Sequence, residues 1–156
     1  MMRFETLDYE STRNTLRRLH KRLNKNLFGG ELHEVRLCVE NLDNPFSCNT
    51  PYPAFARFRS RDLMGNESIS FDHSFADFLE GLETQREQVY MLTLVMLHEM
   101  IHQYCYENGI DDSGHGGEWS RIAEAHGLHS IFQNGEPVEE ELRSGSLITA
   151  AMFRMY

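Results

Sequence analysis

Leucines at positions 16, 19, 23 and 27 recur at steps of three and four residues, with Arg17, Arg18, Lys21, Arg22 and Lys25 between them. That spacing draws one apolar stripe along a helix and predicts an amphipathic helix over roughly residues 9–27 with a basic outer face. Gly29-Gly30 stops it. The period then changes from three and four to two. In "HEVRLCVEN" (33–41), Val35, Leu37 and Val39 alternate with polar neighbours, as in a half-buried strand. "NPFSCNTPYP" has three prolines and turn-forming Asn and reads as a loop. A second strand is expected at "AFARFRSR" (54–61), with Arg57, Arg59 and Arg61 on a solvated face and Ala56 and Phe58 on the other. "SISFDHSF" (68–75) reads as a third strand.

From Gln85 to Glu107 the pattern is helical, and it is apolar nearly all round until His98. A helix without a polar face must be buried, so this segment is expected to be the central helix. Gly109 ends it, and "IDDSGHGG" is a turn-rich loop. A further helix is expected over 118–125, closed by His126-Gly127. The tail "EPVEEELRSGSLITAAMFRMY" opens with helical character and ends apolar, so residues 130–156 are expected to form an extension that packs on the core.

Composition narrows this picture without redirecting it. A chain of 156 residues with 40% hydrophobic and 25% charged residues is long enough for one core, and no repeat or linker divides it. One domain over 1–156 is expected. The N-terminus lacks an apolar stretch followed by a small-residue cleavage site, and the apolar run Val89 to Leu97 is too short for a membrane span. A cytoplasmic protein without a membrane partner is expected. Cys38, Cys48 and Cys105 are odd in number and form no C-x-x-C, so they read as reduced thiols.

The net charge of −9 is unevenly spread. Arg13, Arg17, Arg18, Lys21, Arg22 and Lys25 fall in a stretch with no acid, whereas between residues 62 and 141 the only bases are Arg86 and Arg121. An acidic body repels a phosphate backbone, which leaves the first helix as the only seat for nucleic acid.

The candidate chemistry lies at residues 98–102, "HEMIH". On a helix His98 and His102 project the same way one turn apart, and Glu99 lies about 100° round, able to reach a metal-bound water without being a ligand. Zinc acidifies such a water and a nearby carboxylate takes its proton, so the pattern points to hydrolysis of a polarised carbonyl. A third ligand is required. The HExxHxxGxxH arrangement is excluded, because positions 105 and 108 hold Cys105 and Asn108. His115, Glu118 and Glu124 remain open by spacing, with His126 and His129 farther along. Trp119 reads as a core aromatic, with a cover over the metal site as the lesser alternative, "DDSG" (111–114) as a solvated turn, and Tyr104, Tyr106, Arg121, His126 and His129 as undistinguished candidates to stabilise an oxyanion.

The stretch "HEMIHQYCYENGIDDSGHGGEW" resembles the SprT-like family of zinc metallopeptidases. The shared pattern is HExxH, a loop of about a dozen residues, and then His-Gly-x-x-aromatic, here His115-Gly116-Gly117-Glu118-Trp119. Upstream, "NKNLFGGEL" is similar to the family's start and "SISFDHSF" to the strand before its metal helix. The resemblance implies that His98, His102 and His115 hold one zinc ion per chain, that Glu99 is the general base, and that the fourth position stays open to water. It also implies a protein or peptide substrate and an association with DNA, which the net charge opposes.

Together these readings predict an α+β minimal zincin: a basic N-terminal helix, a small antiparallel three-stranded sheet, the HExxH helix and a following helix. The expected function is zinc-dependent peptide-bond hydrolysis, with a sheet-edge strand, 68–75 the candidate, holding the substrate extended. The rival expectation is a binding or regulatory module in which zinc only supports the fold.

Overall fold

The computed structural model describes residues 9–42, 55–112, 118–125, 132–133 and 136–137. Helix α1 spans Tyr9–Leu27, and strands β1 (Arg36–Glu40), β2 (Ala56–Arg59) and β3 (Ser68–Asp72) follow. Then come helices α2 (His73–Glu80), α3 (Gln85–Glu107) and α4 (Glu118–Ala125), and the short strands β4 (Phe132–Gln133) and β5 (Glu136–Pro137).

The leucine stripe of α1 is buried at Leu16, Leu19 and Leu23, while Arg17, Arg18, Lys21, Arg22 and Lys25 are exposed. Arg13 is half-buried instead, its Nε donating to the Leu37 carbonyl at 3.3 Å, so it ties α1 to β1. The chain leaves the helix through Gly29 and Gly30 at φ 64 and 78, a conformation that a side chain would strain. Asn24 fixes the exit: its amide donates to the Leu32 carbonyl at 2.9 Å and its oxygen accepts from the Leu32 N–H at 3.0 Å.

The three strands form one sheet in the order β1-β3-β2, and it is mixed. β2 runs antiparallel to β3, as expected, but β1 runs parallel to it, from Arg36 opposite Ser68 to Glu40 opposite Asp72. The wholly antiparallel sheet is corrected for a simple reason: alternation along a strand reports which face is buried and carries no information about direction. The β2–β3 pair is antiparallel because a tight turn joins it. There the Asp62 carboxylate accepts from the N–H groups of Met64 and Asn66 at 2.8 and 3.0 Å, and Gly65 sits at φ 81.

β3 is the central strand and ends at Asp72, so residues 73–75 are helical and not part of an edge strand. Asp72 is the reason. Its carboxylate accepts from the Ser74 N–H at 2.8 Å and from the Leu42 N–H at 2.7 Å, capping α2 and pinning the end of β1. Phe75, Ala76 and Leu79 then give α2 a buried face.

α3 is the pillar of the fold. A reciprocal cap starts it, with the Glu87 N–H donating to Thr84 Oγ1 at 3.1 Å and the Thr84 N–H to Glu87 Oε2 at 3.3 Å. Met91, Leu92, Leu94, Met96, Leu97, Met100 and Ile101 are fully buried, and the helix packs on α1, α2, α4 and β2. No helix among the described residues is long and apolar enough to cross a membrane. β4 and β5 pair antiparallel where the sequence predicts no strand. Residues 138–156, and with them the packing of the C-terminal extension, lie outside the described residues.

Candidate metal centre

His98 and His102 sit on the last buried turns of α3, their ring centroids 5.1 Å apart. Both rings are half-buried, and Trp119, the second residue of α4, lies against them at centroid distances of 4.8 and 5.4 Å. Trp119 is therefore a lid on the two histidines as well as a core residue, a role that the helix-face pattern of α4 does not distinguish. Nδ1 of His102 is 2.6 Å from Oδ2 of Asp112. With that nitrogen engaged by a carboxylate, Nε2 is the nitrogen left for an ion. Asp112 belongs to a stretch that reads in sequence as a solvated turn; its only signal is that it is among the first acids after the helix ends.

Glu99 points the other way round the helix, toward the sheet. It is buried, and its Oε2 accepts from the Phe58 N–H of β2 at 2.7 Å. Its Oε1 lies 4.0 Å from Nε2 of His98. Burial raises the proton affinity of the carboxyl, opposed by His102, the Phe58 N–H and Arg57. A carboxyl with that bias accepts a proton more readily than one in water.

β2 supplies more than this one N–H. It is an edge strand of the three-stranded sheet, so the expectation that 68–75 is the edge beside the site passes to residues 56–59. Exposed Arg57 adds positive charge near Glu99, while Arg59 pairs with Glu40 across the sheet at 3.1 Å. Among the candidate oxyanion groups, Tyr106 packs beside Phe58 at 6.0 Å, Tyr104 against Phe28 at 5.8 Å, and Arg121 pairs with Glu118. His126 and His129 lie outside the described residues, as does His115, the third ligand implied by the resemblance.

Two imidazoles one turn apart, one with its second nitrogen held by a carboxylate, are a pair of donors suited to a zinc-type ion, and the buried Glu99 carboxyl lies beside them without joining them as a donor. Residues 80–138, from the end of α2 through β5, match the sequence profile of the SprT-like family. No curated protein and no solved structure matches the chain.

Proposed function

We propose that this protein is a zinc-dependent peptidase in which His98, His102 and His115 hold one ion and Glu99 is the general base. The observation that carries this reading is the position of Glu99: buried, next to His98, and held by the N–H of an edge strand. When bound, the ion supplies Lewis acidity, lowering the pKa of a water and polarising the scissile carbonyl.

The chain's own residues do the rest. Asp112 holds His102 in one tautomer and orientation. Trp119 shields both rings from water on one side. A peptide substrate pairs in extended form with the outer edge of β2, beside the Phe58 N–H that Glu99 already holds, a mode that reads backbone before side chains and tolerates many sequences. Glu99 takes the proton of the attacking water on a carboxylate oxygen and returns it to the departing amine, and burial favours the first of these transfers.

Other parts of the reading rest on less local features. The exposed bases of α1 are the seat we assign to any DNA contact, and the net charge of −9 makes such binding weak and sensitive to salt. Cys38 and Cys105 are free thiols, in keeping with the cytoplasm.

Replacing Glu99 by Gln tests the proposal. The amide keeps the size of the side chain but cannot accept the proton, so hydrolysis of a disordered test protein, or self-cleavage at high concentration, should fall by about two or more orders of magnitude. Zinc content and melting temperature should stay close to those of the wild type. Equal residual cleavage by both proteins would leave zinc with a structural role.

A further inference from the structure

A second cluster of metal donors lies at the C-terminus of α3, at Glu107, five residues past His102. It joins three segments: His33 in the loop after α1, Glu67 just before β3, and Glu107, the last residue of α3. One donor atom from each lies within 4.8 Å of the other two. Nδ1 of His33 is 3.0 Å from Glu67 Oε2 and 3.3 Å from Glu107 Oε1. An ion held at about 2.1 Å by each donor sets neighbouring donors about 3.0 to 3.4 Å apart, so the two spacings from His33 already fit one.

We propose that His33, Glu67 and Glu107 form a second divalent-metal site, a clamp that takes a zinc or manganese ion and is separate from the centre at His98 and His102.

Three observations beyond proximity support it. First, Oε1 of Glu67 is buried and has no hydrogen-bond partner. A buried carboxylate oxygen without a donor is costly, and a cation removes the cost. Second, two carboxylates face each other with one imidazole between them. Burial pushes the Glu67 carboxyl up, and the charge of Glu107 adds to this, while the His33 contact opposes it. The same contacts raise the proton affinity of His33, so a single proton on the imidazole stands between the two carboxylates where an ion would sit. Third, two of the three ligands, Glu107 and His33, are held from behind. The Glu107 side chain is only 7% exposed, and its Oε2 accepts from Gln103 Nε2 at 2.6 Å. The same amide donates to the His33 carbonyl at 2.9 Å, while Gln103 Oε1 meets His20 Nε2 at 2.9 Å. The His33 N–H donates to Glu107 Oε1 at 3.0 Å. Outer partners that fix the angle of each ligand are what separates a metal site from a chance cluster.

The cluster opens into a cleft of about 1180 Å³ that His33, Glu67 and Glu107 help to line, so an ion can enter from solvent. The donor set, one nitrogen and two carboxylate oxygens, lies between the preferences of zinc and manganese, and titration with each ion separates them. An ion there would join the α1 exit, the turn before β3 and the end of the metal helix.

The test is calorimetric titration of the full chain carrying His98→Ala and His102→Ala, with zinc and then manganese. One ion per chain is expected for at least one of the two metals. Adding Glu67→Gln or His33→Ala should weaken it by about tenfold or more. The His33 side chain is 69% exposed and Gln matches Glu in size, so both proteins should still unfold cooperatively. If the double variant does not fold, elemental analysis of the wild type serves instead: two ions per chain should fall to one in His33→Ala. No binding of either ion below about millimolar concentration, or binding that neither substitution changes, would overturn the proposal. Neither outcome depends on whether the protein is a peptidase.

Discussion

The carboxylate of Asp112 and the Nδ1 of His102 are 2.6 Å apart, joining the loop after α3 to the second histidine of the HExxH pair. The contact spans ten residues of sequence and closes the chain back over the end of its own helix. A ligand imidazole so held loses little freedom when it binds an ion, and its other nitrogen is fixed as the donor.

Removing that carboxylate should therefore loosen the metal without unfolding the protein. For Asp112→Ala we expect zinc affinity to fall by about 10- to 100-fold, read by competition with a chelator of known strength. Its side chain is 38% exposed, so the melting temperature of the metal-free protein should barely move. An unchanged affinity would show that the pair does not orient the ligand.

The third ligand can be assigned by subtraction. His115→Ala should lose the zinc of the HExxH site, whereas Glu118→Ala and Glu124→Ala should keep it, as measured by metal content after dialysis. Glu118 is engaged with Arg121 on the outside of α4, and Glu124 is exposed. Zinc kept by His115→Ala and lost by either glutamate variant would reverse the assignment.

Stability should be concentrated in α3. Leu94 is fully buried in the main cluster, and Leu94→Ala deletes its packing on all sides. A loss of about 2 to 5 kcal/mol is expected from the transfer and cavity terms, read as a lower urea midpoint with an unchanged slope.

The two described thiols should differ in reactivity. Burial pushes Cys105 up to about 11, with the charges of Asp112 and Glu118 adding to it, and the residue is fully buried. Only the thiolate is a nucleophile, so at neutral pH a native sample treated with iodoacetamide should be labelled at half-exposed Cys38 well before Cys105. Peptide mapping by mass spectrometry would show this, and Cys105 should label only after denaturation.

The parts of this molecule that the sequence discloses share one property: they are local or periodic. The leucine stripe of α1 and the apolar mass of α3 give both helices their bounds, because a helix turn repeats within a few residues. The placement of His98, Glu99 and His102 within about one turn of α3 is legible for the same reason. What stays hidden depends on distant partners. Nothing within "RLCVE" tells that β1 runs parallel to β3, and nothing near Glu99 tells that it will meet the N–H of Phe58, 41 residues earlier. α2 is hidden differently. The strand-like run 68–72 leads straight into "HSF", and only the capping role of Asp72 marks the change. Asp112 and Trp119 carry ordinary turn and core signals, and their place beside the histidines comes from how the chain folds back after α3.

Helix α3 supplies both the centre of the core and two of the histidines of the proposed metal centre. Opening the site by moving that helix would require melting the domain, so its amides from Leu94 to His102 should exchange with solvent only when the whole chain unfolds. Mutational tolerance would be split in the same way: changes on α1 or the β2–β3 turn can be absorbed, while drift within α3 puts abundance and chemistry at risk in a single step.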